Sequence, residues 1–184
     1  MNVDRLNHLI TILEEAAAKE KKFYMGAWGK LDEHKPNMCG TAACALGTAA
    51  MNKQCIEDGL VMMAFYDTDG NDDFSRVAWP LTDTAAWDRV FAAMAEGHGV
   101  DLVPRYDERE GFAAGMEYYE INEEQANYLF DPSCYEGSTW DIRPYDVVKH
   151  VLRVLDGHLV DADDSEYDDD DDDEQATPTE GFVE

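Results

Sequence analysis

Val3, Leu6, Ile10, Leu13 and Ala17 recur every three or four residues, the period that lines one face of a helix. Lys19, Lys21 and Lys22 suit the negative end of the helix dipole, so the pattern predicts an amphipathic helix over about 3–22. The aromatic cluster Phe23-Tyr24-Met25-Gly26-Ala27-Trp28 comes next and is expected to pack that helix onto the core. Beyond a polar loop with Pro36 and Asn37, the run Ala42 to Met51 is small and apolar on every side. That is the pattern of a fully buried helix, with Thr41 as its N-cap. Leu60–Tyr66 and Phe74–Leu81 are apolar, aromatic runs about a polar turn, which predicts a β-hairpin. Thr82 or Asp83 caps a helix whose Trp87, Val90, Phe91 and Met94 face inward and which stops near Gly97 and Gly99. Asn122 with Gln125 opens another that Asp131-Pro132 closes. Pro144 begins a last helix, with Val147, Val148, Val151, Leu152, Val154 and Leu155 apolar and Gly157 past its end. The expected fold is mostly α, in the α+β class: a compact helical domain of about five or six helices with one β-hairpin.

Charge separates this body from the C-terminal stretch. The chain has 184 residues and a net charge of −27, with 14 Lys+Arg against 41 Asp+Glu. Residues 161–184 hold 13 acids and no Lys or Arg, leaving −14 for residues 1–160. The expected organisation is one globular domain over 1–160 and an acidic tail over 161–184. Asp168, Asp169, Asp170, Asp171, Asp172 and Asp173 are followed directly by Glu174. Such a run offers no apolar burial to offset holding like charges together, and is expected to stay solvated and disordered. Phe182 and Val183 break the acidic pattern near its end and form a candidate apolar docking tip. The acidity disfavours direct contact with a nucleic-acid backbone or an anionic membrane. Asp4, Arg5, Asn7 and His8 interrupt the first ten residues, so no secretory signal is expected, and no apolar run approaches the ~20 residues of a membrane span.

Candidate chemistry is sparse. Counted from Asp67, the sixth and twelfth positions of the hairpin turn hold Asp72 and Ala78, where a calcium loop needs Gly and Glu. Cys39, Cys44, Cys55 and Cys134 match no zinc spacing, and without a signal peptide they are expected to be reduced thiols. Cys44, about one turn into the predicted helix, has the dipole that activates a nucleophile, with His150 or His98 as candidate bases. The same residue among alanines fits a small buried hydrophobe. Gly40-Thr41 at a helix start is able to cradle an anion, but no Gly-rich loop or subsequent Lys makes it a nucleotide site. No cofactor motif is legible.

The order Phe23-Tyr24-Met25-Gly26-Ala27-Trp28, then Cys39-Gly40-Thr41-Ala42-Ala43-Cys44-Ala45-Leu46-Gly47, then Tyr119-Glu120-Ile121-Asn122-Glu123-Glu124-Gln125-Ala126-Asn127-Tyr128-Leu129-Phe130 resembles a group of small proteins of tailed bacteriophages and prophages. The resemblance spans about residues 5–155 and includes the Pro144 helix. It implies a phage origin and a shared fold; it carries no mechanism. Trp28, Cys39, Gly40, Thr41, Cys44, Gly47, Leu129 and Phe130 are its most distinctive positions. Turning at Gly40, capping at Thr41 and close helix approach at the small residues account for the motif without catalysis.

Three functions fit these features. The first is an acidic interaction protein that binds a host nucleic-acid-binding protein (defence, restriction or transcription) in its basic groove, by nucleic-acid mimicry in the host cytoplasm. The second is a cysteine-dependent enzyme or zinc protein. The third is a structural component of a virion or replication complex with the tail as a docking arm. The charge excess favours the first, with Asp168–Asp173, Glu174 and Phe182 as candidate partner contacts.

Overall fold

The computed structural model describes residues 1–19, 23–29, 43–67 and 76–158. Among them are seven α-helices and a four-stranded antiparallel sheet, giving a mixed α+β fold. Helix α1 (Val3–Ala18) is capped by Asn2, whose side chain accepts from the Arg5 N–H at 3.2 Å. Its Leu6, Leu9 and Leu13 are fully buried, each contributing ~1.5–3 kcal/mol by leaving water. They pack against α7 (Pro144–Leu155), whose valines 147, 148, 151 and 154 form the facing stripe. Leu152, apolar in the pattern, points to solvent instead, because it falls off the face that α1 covers.

Helix α2 (Ala45–Ala50) sits at the centre, touching α1 and the sheet, and Ala45, Leu46, Ala49 and Ala50 have no exposed surface. It begins later than the pattern predicts. Thr41 lies outside the described residues; Cys44 is the N-cap, its Sγ accepting from the Gly47 N–H at 3.4 Å. Helix α3 (Lys53–Glu57) comes next, capped by Asn52.

The predicted hairpin forms from β1 (Leu60–Asp67) and β2 (Arg76–Pro80), with Met63 opposite Pro80 and Phe65 opposite Ala78. Its turn, with the aspartates considered for calcium, lies outside the described residues apart from Asp67. The single hairpin is a correction, since β1 also pairs on its other edge with β3 (Val100–Tyr106), and β3 pairs with β4 (Arg109–Glu110). The order is β2-β1-β3-β4. Ala64 faces Leu102 and Met62 faces Pro104, all four buried on one face, while Met63 is buried on the other. Pro104 fits because its carbonyl accepts from Gly111, beyond β4. Backbone N and carbonyl of one strand residue point the same way, so its missing N–H takes nothing from the β1 ladder.

Helix α4 (Thr84–Ala95) is capped by Asp83, with Ala86, Trp87, Val90 and Ala93 inward and Phe91 and Met94 half-buried. Helix α5 (Phe112–Tyr119) leads through Glu120, in left-handed conformation, to α6 (Glu123–Phe130). The α6 capping box forms as its sequence predicts: the Gln125 N–H donates to Asn122 Oδ1 at 2.8 Å and the Asn122 N–H to Gln125 Oε1 at 3.1 Å. A single 3-10 turn, Pro132–Cys134, then leads toward α7. No helix among the described residues is long and apolar enough to cross a membrane.

Candidate functional site

The aromatic segment at 23–28 and the start of α2 meet in space. Phe23 bridges Ala43 in parallel, the Tyr24 N–H donates to the Ala43 carbonyl at 3.1 Å, and the Cys44 N–H donates to the Ala27 carbonyl at 3.1 Å. This clamp lays Trp28 across the start of α2, where its carbonyl occupies the space a side chain at Gly47 would need. The Trp28 ring meets Phe112 edge-on at 4.9 Å and covers Gly111, the N-cap of α5. Leu129 and Phe130 are buried, and Phe130 and Leu46 close on Gly115 of α5 so tightly that a Cβ there would meet them at 3.1 and 3.0 Å. Trp28, Cys44, Gly47, Leu129 and Phe130 are thus drawn together as packing around α2 and α5. Cys39, Gly40 and Thr41 lie outside the described residues, as do Asp168–Asp173, Glu174 and Phe182. Beneath Trp28, a cleft of about 530 Å³ runs between Phe65, Leu102, Phe112 and Phe130, with Asp101 and Glu110 also in its wall.

Cys44 lacks the features of an activated nucleophile. Burial pushes its thiol up to about 11, against the weaker opposing pull of the Gly47 N–H, so the thiolate is scarce at neutral pH. Both histidines considered as its base are engaged elsewhere. His98 meets the Tyr66 ring at 5.5 Å, tilted by 55°, and lies 3.5 Å from Glu96, while His150 belongs to a separate site. Burial also raises the thiols of Cys55 and of the exposed Cys134. No group of three His, Cys, Asp or Glu among the described residues is arranged to hold a metal.

Every described charged side chain reaches the surface or its margin; none is buried. The sharpest concentration runs from the β3–β4 turn to the start of α6. Asp107, Glu108, Glu110, Glu117, Glu120, Glu123 and Glu124 are all exposed, with Arg109 the sole cation between the first and last of them. None forms an ion pair among the described residues; Glu120 accepts a hydrogen bond from the Asn2 amide at 3.1 Å. That contact sets the first turn of α1, with Asp4, beside the end of α5. These acids stand close together along the chain, so their density is legible in the sequence; the fold adds that every one of them is exposed.

A second cavity, of about 650 Å³, opens between α6, the 3-10 turn and α7. His150 is sandwiched there between Tyr128 and Tyr135, each ring 4.1 Å away and within 10° of parallel. His150 Nδ1 donates to the Tyr128 carbonyl at 2.9 Å, and the Tyr135 hydroxyl donates to the Leu129 carbonyl at 2.7 Å. Arg153 Nη1 donates to the Tyr128 hydroxyl at 3.1 Å, and Lys149 Nζ to Asp146 Oδ1 at 3.1 Å. The ring spacing Tyr128…Tyr135…His150 has no sequence signature.

No protein-family model, curated protein or solved structure matches this chain.

Proposed function

We propose that the protein is a phage-encoded acidic interaction protein that occupies the basic groove of a host nucleic-acid-binding protein, in the host cytoplasm. The observation that carries the reading is the acidic surface from Asp107 to Glu124: seven exposed carboxylates against one arginine. To it the chain adds 13 acids in residues 161–184. DNA presents one phosphate per ~1.7 Å of axis, and a groove built for it answers any dense, solvent-facing row of negative charge. Nothing competes with this reading at Cys44, whose thiol is buried and held protonated. Glu120 holds Asn2, and Glu123 and Glu124 suit the positive end of the α6 dipole. Asp107, Glu108, Glu110 and Glu117 have no counter-ion among the described residues, and such charges contribute little to folding, so their concentration is best explained by what they meet outside the molecule.

The test is capture of host proteins by the full-length chain, followed by displacement with duplex DNA. The reading expects a captured nucleic-acid-binding protein to be released by DNA in proportion to its own DNA affinity. Capture that DNA leaves untouched, or a captured partner without a nucleic-acid site, overturns it.

A further inference from the structure

The cavity beside His150 has a donor and acceptor set that the acidic surface does not use. We propose that it binds a small organic oxyanion, phosphate or carboxylate, that carries a neighbouring hydroxyl. The walls are pre-organised. Tyr128 and Tyr135 hold the imidazole on both faces, and Tyr135 is itself tied to the Leu129 carbonyl. A carbonyl only accepts, so His150 Nδ1 must carry the proton and the neutral ring keeps Nε2 as its acceptor. Nε2 has no partner among the described residues. Burial lowers the His150 pKa, which keeps the ring in that neutral form.

The anion-directed donors are on α7. Arg153 spends one N–H on the Tyr128 hydroxyl, which aims a guanidinium that retains four more. Lys149 spends one of its three on Asp146. Asp146 is committed: its Oδ2 accepts from the Arg143 N–H at 2.9 Å and its Oδ1 from Lys149. Of the carboxylates lining the cavity, only Glu136 remains unengaged. The chain's large negative charge does not forbid an anion here, because charges farther than ~8 Å are largely screened at physiological salt. An Arg–Lys pair therefore meets the oxyanion, and Nε2 accepts from the adjacent hydroxyl. A cavity of about 650 Å³ suits a molecule of this size.

The experiment tracks the His150 ring protons of the full-length chain by NMR during titration with inorganic phosphate, glycerol 3-phosphate, malate and succinate. Glycerol 3-phosphate and malate, which carry the hydroxyl, should shift the His150 signals saturably and bind tighter than phosphate and succinate. Arg153→Gln should weaken all four by about tenfold, the scale of one charge-assisted hydrogen bond, and it changes an exposed residue. His150→Phe keeps a ring between the tyrosines and should erase the preference for the hydroxylated ligands while leaving Arg153-dependent binding, read then from the Tyr135 ring protons. Whether phosphate or carboxylate is the better head group is read from glycerol 3-phosphate against malate. No saturable shift with any probe, equal binding by Arg153→Gln, or no preference for the hydroxyl overturns the proposal.

Discussion

Replacing Gly47 by alanine tests the central packing relation of the fold. In an ordinary helix this change is favourable by ~1 kcal/mol, because alanine restricts the unfolded chain and suits the helix. Here the new Cβ would coincide with the Trp28 carbonyl and press on the Ala43 side chain, which lies 3.2 Å from its position. The neighbour is backbone and cannot rotate away. Residues 23–29 must move, straining the Cys44–Ala27 and Tyr24–Ala43 hydrogen bonds, both 3.1 Å. Overpacking costs ~1–3 kcal/mol and each weakened hydrogen bond ~0.5–1.5 kcal/mol. Set against the alanine gain, the net loss is about 1–5 kcal/mol. For a domain of this size that lowers Tm by roughly 2–20 °C. The assay is urea and thermal denaturation beside Gly99→Ala, where a Cβ meets nothing within 4 Å and stability should stay near the parent's. Gly47→Ala as stable as the parent would refute the claim that Trp28 is clamped onto α2.

Thiol labelling at pH 8, read by peptide mapping, should modify exposed Cys134 well before Cys44 or Cys55, which react only as the protein opens; early Cys44 labelling would contradict its burial. Tyr119 is fully buried with no partner for its hydroxyl among the described residues, so Tyr119→Phe should be neutral or stabilise by up to ~1 kcal/mol in urea melts. Burial lowers His150 below its ordinary 6.5, so the unfolded chain binds more protons than the folded one. Its contribution is complete above pH 6.5 and is lost as pH falls through the lowered value. Urea melts across that window should show the parent losing stability relative to His150→Phe; a difference independent of pH would contradict the assignment.

Much of the architecture was legible because local rules and tertiary packing agree. Asn122 and Gln125 form the box their spacing predicts, Pro144 opens α7, and Leu60–Tyr66 pairs with the strand ending at Pro80. The stretch from 100 to 121 was not legible, for particular reasons. Pro104 argues against a strand unless the position of its carbonyl is known. β4 is two charged residues long. α5 has no side-chain cap, starts from Gly111 at positive φ, and ends on Glu120 in a conformation usually left to glycine. The start of α2 misled because Cys44, and not Thr41, takes the capping position. At the candidate sites, the acids from Asp107 to Glu124 are close together in the sequence but were overshadowed by the denser run at 168–174, and His150 stood as a candidate base for Cys44 where the fold places it between two tyrosines.

The central claim is that the acid meets a basic groove, and the salt dependence of the captured complex tests it most directly. Dissociation constants measured by surface plasmon resonance across about 50–200 mM salt, a range in which multiple charge contacts reveal themselves, should rise steeply and log-linearly. The chain without residues 161–184 lacks 13 of its 41 acids and no described core residue. If the tail only steers the encounter, that deletion should slow association more than it speeds dissociation. If the tail is itself the docking element, neutralising Asp168–Asp173 should abolish binding and Phe182→Ala should weaken it. A complex whose affinity is unchanged both by salt over that range and by removal of the tail would contradict the account.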